Sequence, residues 1–408
     1  MALTNLTIDP DRLLARLKQL GEIGRDGEGR LIRLAASDAD RLGRDRFVAW
    51  AKASGLAVKV DRIGNIFALW SEPENAQEAP LMLGSHIDTV IDAGIYDGCY
   101  GVLAGLEVVA TLKEAGLTPK RPVVVAAFTN EEGVRFSPDM LGSLCFAGGI
   151  TPEEALAARG TDGKILGEEL ARIGYAGSDE VARPAAYIEL HIEQGPVLER
   201  EGVAIGAVEN LQGISWQRII LDGVANHAGT TPMTMRHDAG AAAASVITFL
   251  QARARASKTG TVATVGTIAF EPNAINVIPA RAVFTVDLRD PDEASLKAHE
   301  KALADHLAKL EGITVTVERL ARFEPVVFDQ DLVAEIEMAA KARGHSVRRM
   351  TSGAGHDAQM ISRITPAAMI FVPSIGGISH NPKELTPDAD LVAGANVLLD
   401  VVRTLAFR

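Results

Sequence analysis

The 408-residue chain is longer than one hydrophobic core usually serves, so two domains are expected. Hydrophobic residues make up 47% and charged residues 23%, which excludes a disordered chain. A net charge of −12 argues against nucleic acid and anionic lipid surfaces as partners, though a local positive site could still hold a small anion. The two cysteines, Cys99 and Cys145, are too few for a disulfide framework and read as reduced, buried thiols. The stretch from Met1 to Arg16 lacks a basic segment followed by an apolar core, so no signal peptide is expected. No run approaches the length of a membrane span, and a cytoplasmic location is the expectation.

In chain order, Leu81-Met82-Leu83 leads into Gly84-Ser85-His86, and Val123 to Phe128 leads into Thr129-Asn130-Glu131-Glu132. Ala186-Tyr187-Ile188 leads into Glu189-Leu190-His191, and Ala367 to Val372 into Pro373-Ser374. Such short apolar runs are predicted as strands buried on both faces. Between the first two, Val102, Leu103, Leu106, Val109 and Leu112 mark one face of a helix that Gly116 would end. Alternating strands and helices predict an α/β sheet, in which ligands bind at the carboxyl ends of strands. The polar residues after each run would gather there.

From about Gly213 to Glu324 the pattern changes. Strands are predicted at Ile214 to Leu221, Thr261 to Phe270, Ala282 to Leu288 and Ile313 to Val317, with helices at Asp238 to Arg255 and Asp292 to Leu310. The order βαββαβ is that of a ferredoxin-like domain. The α/β pattern then resumes with a helix from about Asp331 to Arg343. The fold class is therefore α/β: a mixed-sheet domain formed by 1–212 and 327–408, interrupted by an inserted domain at 213–326.

Four segments carry candidate chemistry. In His86-Ile87-Asp88 an imidazole could ligate a metal while the carboxylate holds its other ring nitrogen, and Asp97, before Gly98, could be a further ligand on a tight turn. Adjacent Glu131 and Glu132 repel each other in a dry site unless a cation lies nearby or one is protonated. One could bind metal while the other acts as base towards a water. His191 and His380 follow further strands. Each alone reads as a structural histidine. Together His86, Asp97, Glu132, His191 and His380 form a set of three imidazoles and two carboxylates suited to Zn²⁺ or Mn²⁺. His237, His299, His306 and His345 lie in or beside predicted helices and read as surface histidines, and His356 and Asp357 as packing residues rather than another metal centre.

Six segments in one order resemble the M20 metallopeptidase clan, and within it the hydantoinase/carbamoylase branch, from about Leu20 to Leu398. They are Gly84-Ser85-His86-Ile87-Asp88, Thr129-Asn130-Glu131-Glu132-Gly133, His191-Ile192-Glu193-Gln194-Gly195-Pro196, Asn226 to Met233, Ser352-Gly353-Ala354-Gly355-His356-Asp357 and Ser379-His380. That branch holds N-carbamoyl-L-amino-acid hydrolases, β-ureidopropionases, and allantoate and ureidoglycolate amidohydrolases. The resemblance implies two divalent metal ions per subunit, Zn, Mn, Co or Ni. His86, Asp97 and His191 would hold one ion, and Asp97, Glu132 and His380 the other. It further implies that Asp88 orients His86 and that Glu131 is the general base. His191, where peptidases of the clan carry a carboxylate, supports the carbamoylase branch. The inserted domain resembles a lid and dimerisation domain, so a homodimer is expected, with His227 reaching the neighbouring active site to steady an oxyanion. Gln194 matches a residue near the scissile amide, Asn276 and Arg289 match carboxylate-binding positions, and Gly355 matches a backbone contact to substrate. Read without the resemblance, Arg289 is a surface ion-pair residue.

The implied substrate is a small molecule with a ureido or amide group beside a carboxylate. The leading reading is an N-carbamoyl-L-amino acid, split to the amino acid, ammonia and carbon dioxide. Allantoate, or ureidoglycolate, is the alternative: Asp92 to Gly98 resembles the allantoate enzymes, whereas Arg135 to Met140 resembles the carbamoylases. A reading of another class is an inactive relative that only binds a small carboxylate. The presence of Glu131 and of all five ligand residues speaks against it.

Overall fold

The computed structural model describes residues 6–407; residues 1–5, where the reading for a leader begins, and 408 lie outside the described residues. The described residues form two compact units. One comprises the chain up to Glu209 and from Phe328 onward, the other Asn210–Val327.

The first unit is built on a mixed sheet. Its centre is four mutually parallel strands in the order Ala367–Val372, Ala186–Ile192, Leu81–His86 and Val123–Phe128. Three of them are buried at every residue and the fourth at all but its first, as the near-continuous Val, Ile, Leu and Ala runs require of strands covered on both faces. Antiparallel strands flank them: Ile66–Trp70 and Ala57–Val60 on one side, Ile205–Leu211 on the other. Because the four central strands run the same way, His86, Phe128, Ile192 and Val372 end on one edge of the sheet. The loops that follow them carry the candidate residues.

The helix Cys99–Glu114 lies against the sheet and is covered on its other side by Asp388–Phe407 and Pro10–Gly21. The sequence predicts one apolar face here, but every residue from Cys99 to Leu112 is buried. Gly101 and Gly105 allow the close approach: a Cβ at Gly101 would lie 2.3 Å from the Leu190 carbonyl oxygen. Gly116, with φ +69°, ends the helical run at the expected place.

In the second unit the strands Gly213–Asp222, Arg281–Asp290 and Thr314–Phe323 are joined antiparallel, with Gly213–Asp222 central. The predicted strand over 261–270 is instead two short strands, Val262–Thr264 and Ile268–Glu271, both paired with Arg281–Asp290. Gly266 lies at the break between them. Helices Ala239–Ala256 and Glu293–Leu307 pack on one sheet face, where Ile219, Leu221, Phe284, Val286 and Leu288 meet Val246, Leu250, Leu296 and Leu303. Strand alternation sends Trp216, Asp287 and Arg289 to the opposite face. Two histidines read as surface residues have partners here. His299 is buried and bonded to Thr261, and the His306 ring stacks on Phe249 at 4.3 Å. Among the described residues no helix is long and apolar enough to cross a membrane.

Candidate metal centre

The strand edge of the first unit gathers His86, Asp88, Asp97, Glu131, Glu132, His191, Gln194 and His380. Asp97 is the hub. Its Oδ1 faces His86 Nε2 at 3.6 Å and His191 Nε2 at 3.2 Å, and its Oδ2 faces His380 Nε2 at 3.2 Å. Glu132 Oε2 lies 3.5 Å from His380 Nε2, and Glu131 Oε2 lies 3.3 Å from His86 Nε2. The donor atoms of His86, Asp97 and His191 lie within 4.8 Å of one another, as do those of Asp97, Glu132 and His380. One carboxylate thus turns an oxygen to each of two donor groups.

The ring tautomers follow from the neighbours. His86 Nδ1 is 2.9 Å from the Asp88 main-chain carbonyl, and His191 Nδ1 is 2.8 Å from that of Ile192. A carbonyl only accepts, so each Nδ1 donates and each neutral ring presents an Nε2 lone pair towards Asp97. Lone pairs facing a carboxylate require a proton or a cation between them. Burial would raise Asp97, but the three imidazoles gathered round it, His191 first, outweigh burial and hold the carboxyl well below its ordinary range. Burial pushes Glu131 well above the ordinary range, and burial together with the charge of Asp97 pushes Glu132 up to about 8. The hydrogen bond to Asp97 takes His380 up to about 9. Glu132 Oε1 is buried and has no hydrogen-bond partner among the described residues. Converging lone pairs, crowded carboxylates and this orphaned oxygen fit divalent cations bound by nitrogen and oxygen.

The sequence reading has the Asp88 carboxylate hold the His86 ring. The structure differs: Asp88 Oδ1 is 4.0 Å from Nδ1, and the main-chain carbonyl makes the bond instead. The carboxylate accepts the main-chain N–H groups of Glu131 and Glu132, each at 3.3 Å. With the main-chain carbonyl of residue 88 against the ring, its side chain reaches the next loop.

Gln194, at φ +57°, donates from Nε2 to Asp97 Oδ2 at 2.8 Å, while its buried Oε1 has no partner among the described residues. Gly355 lies beside His356, whose ring packs against that of His191 at 4.5 Å. Glu189, His191 and His356 form a third close group, but Glu189 already accepts from Ser85, Tyr187 and the Ala358 N–H. His227, Asn276 and Arg289 belong to the second unit. The loops of the first two are joined by a bond from the Ala228 N–H to the Asn276 carbonyl at 2.9 Å. Arg289 donates from Nε and Nη2 to the Asp287 carboxylate at 3.0–3.2 Å on the sheet face away from the helices.

Two supporting residues escape the sequence reading. Arg33 is fully buried and donates to the carbonyls of Ile87, Leu20 and Ile23 and to Cys99 Sγ, tying the His86 loop to the turn after Asp97. No local pattern announces a buried arginine whose partners are carbonyls. Asn130, at φ +57°, bonds Phe136 and Pro138 and so shapes the loop beyond the two glutamates. Its residue type was the available signal, since asparagine tolerates left-handed backbone.

Residues 82–404 match the family model described as Peptidase family M20/M25/M40. An N-carbamoyl-L-amino-acid amidohydrolase of Rhizobium meliloti is 41% identical over 404 residues, covering 98% of this chain and 97% of the relative. An allantoate amidohydrolase of Bacillus subtilis is 38% identical over 360 residues, covering 86% of this chain and 87% of the relative. The crystal structure of an amidase of the hydantoinase/carbamoylase family from Burkholderia multivorans superimposes with a TM-score of 0.95 at 41% identity, covering 99% of each chain.

Proposed function

The chain belongs to peptidase family M20/M25/M40, in its hydantoinase/carbamoylase branch, and on that premise we propose that it cleaves the ureido C–N bond of an N-carbamoyl-L-amino acid, giving the amino acid, ammonia and carbon dioxide. It is a hydrolase acting on a C–N bond other than a peptide bond. The observation that carries the reading is the division of Asp97, one oxygen facing His86 and His191 and the other facing His380. This supports two divalent ions, one held by His86, Asp97 and His191 and the other by Asp97, Glu132 and His380. When bound, such ions polarise the scissile carbonyl and acidify water.

The protein's own groups do the rest. Glu131 is buried and proton-seeking, which suits a base that takes a proton from water and returns it to the leaving nitrogen. Asp88 holds the main chain of both glutamates, so the base and the neighbouring ligand keep their spacing. Gln194 Oε1, buried without a partner among the described residues, is suited to accept an N–H of the ureido group. Gly355 offers its main chain to the substrate. The inserted unit serves as a ferredoxin-like lid and dimerisation domain. From it His227 steadies the oxyanion in the partner's site, and Asn276 and Arg289 bind the substrate carboxylate. The protein acts as a homodimer in the cytoplasm.

Allantoate is the second reading, supported by the 38% identity to an allantoate amidohydrolase. Ammonia release from N-carbamoyl-L-amino acids, allantoate and ureidoglycolate, each with added Mn²⁺, separates them. The N-carbamoyl-L-amino acids should give the highest kcat/KM. A higher value for allantoate would replace the proposal with the second reading, and no turnover of any would leave a carboxylate-binding protein.

A further inference from the structure

Glu384 is buried, with 6% of its surface exposed, and both of its carboxylate oxygens are engaged. Oε1 accepts the main-chain N–H groups of Tyr96 and Asp97 at 3.1 and 3.2 Å. Oε2 accepts the Ser379 hydroxyl at 2.9 Å. The approach is close enough to demand glycine at position 94, where a Cβ would lie 2.2 Å from Oε1. One side chain therefore grips the main chain of Asp97 and the residue just before His380.

The loop that carries His380 explains why such a grip matters. His86 and His191 belong to central strands of the sheet, but His380 sits beyond the end of one, half exposed and at φ +53°. The loop is closed at its neck by bonds from the Ile375 N–H to the Leu385 carbonyl and from Thr386 Oγ1 to the Pro373 carbonyl, each 2.8 Å. A turn closed by the Glu384 N–H on the Asn381 carbonyl returns the chain to that neck. Glu384 is thus the point at which the neck of the His380 loop meets the Asp97 turn.

We propose that Glu384 is a positioning residue that sets Asp97 and His380 relative to each other and so controls ion binding at Asp97, Glu132 and His380, while the ion at His86, Asp97 and His191 depends mainly on the strand ends. The inference rests on the two-ion reading. Residues that orient a ligand typically change metal affinity by about 10–100-fold when removed. Glu384→Ala takes away all three acceptor contacts. Glu384→Gln keeps an oxygen for the two N–H groups and can donate its amide to Ser379.

The test is Mn²⁺ binding to chelated protein, by calorimetry and by elemental analysis after equilibrium dialysis, with the Mn²⁺ concentration for half-maximal activity measured in parallel. Wild type should bind two ions per subunit. Glu384→Ala should bind one of them about 10–100-fold more weakly, with the half-activating Mn²⁺ concentration shifted alike and kcat largely recovered at saturating Mn²⁺. Glu384→Gln should stay close to wild type. A merely structural role would lower thermal stability or the active fraction and leave both metal midpoints in place. If wild type binds two ions and Glu384→Ala binds them with unchanged affinity, the inference is overturned. If wild type binds only one, the two-ion reading itself has failed. Should Glu384→Ala not fold, Ser379→Ala decides. It removes the Ser379 arm of the link, together with a hydroxyl that also lies 3.3 Å from Asp97 Oδ2; it should weaken one ion several-fold, and an unchanged affinity overturns the inference.

Discussion

Gly98 gives the sharpest mechanical test of the metal centre. It sits between Asp97 and the helix Cys99–Glu114 at φ +63°, and its N–H donates to His191 Nε2 at 3.0 Å. A Cβ there would lie 2.4–2.5 Å from three atoms of the His86 ring. That ring is buried and pinned through Nδ1, so it can yield only by leaving its place beside Asp97. Gly98→Ala therefore carries two costs. A residue with a Cβ at φ +63° and ψ −49°, outside the left-handed helical region, is strained by about 1–3 kcal/mol, and displacement of His86 would remove one of the three donors proposed for an ion. Loss of at least 100-fold in affinity for that ion, about 2.8 kcal/mol, is expected. Gly116→Ala is the control. Its φ is +69°, but no atom of the described residues lies within 4 Å of its Cβ position, so it carries strain without the clash. Thermal melts and Mn²⁺ titrations of chelated protein should show both variants somewhat destabilised and only Gly98→Ala impaired in metal binding and turnover. Wild-type affinity for both ions in Gly98→Ala would refute the placement of His86 as a ligand.

Further outcomes follow from the proposed roles. Glu131→Gln should keep its metals and lose turnover by a factor on the order of 10² or more, as for a positioned general base; near wild-type turnover would assign the proton transfer elsewhere. Arg289→Ala should lose roughly 30-fold or more in kcat/KM for the carboxylate substrate, and much less for its carboxamide analogue, if at least ~2 kcal/mol of ion pairing is removed. An unchanged acid-to-amide ratio would take Arg289 out of the carboxylate site. Glu131→Gln and His227→Ala, each inactive alone, should regain partial activity when co-assembled, because one mixed site has both residues. Heterodimers that form but stay inactive would show that His227 does not act across an interface.

Much of the central sheet was legible because its physics is local. A strand buried on both faces must be apolar throughout, so Val123 to Phe128 and Ala367 to Val372 stand out, and the polar residues after them must fall on the strand edge. Whatever depends on the approach of distant segments was not legible. The helix after Asp97 reads as one-faced because its glycines and alanines carry no apolar signal, although they are where it packs most tightly. The break near Gly266 and the burial of His299 arise from pairing and packing within the second unit. Asp88 shows the limit at the site itself. The His-x-Asp spacing suggests a carboxylate behind the imidazole, but the main chain after the strand presents the carbonyl instead, and the carboxylate goes to the Glu131–Glu132 loop. Among the described residues Arg33 and Glu384 have main-chain, thiol or hydroxyl partners, supplied from elsewhere in the fold, and spacing along the chain cannot reveal them.

The central claim is that Asp97 is shared between two ions that the hydrolysis requires. It is tested most directly by removing metal with a chelator, confirming its absence by elemental analysis, and following ammonia release from an N-carbamoyl-L-amino acid as Mn²⁺ is added back. Activity should be absent at the start and should reach its full value only as the second equivalent per subunit binds. Full turnover by the metal-free protein, or a plateau at one equivalent, would contradict it.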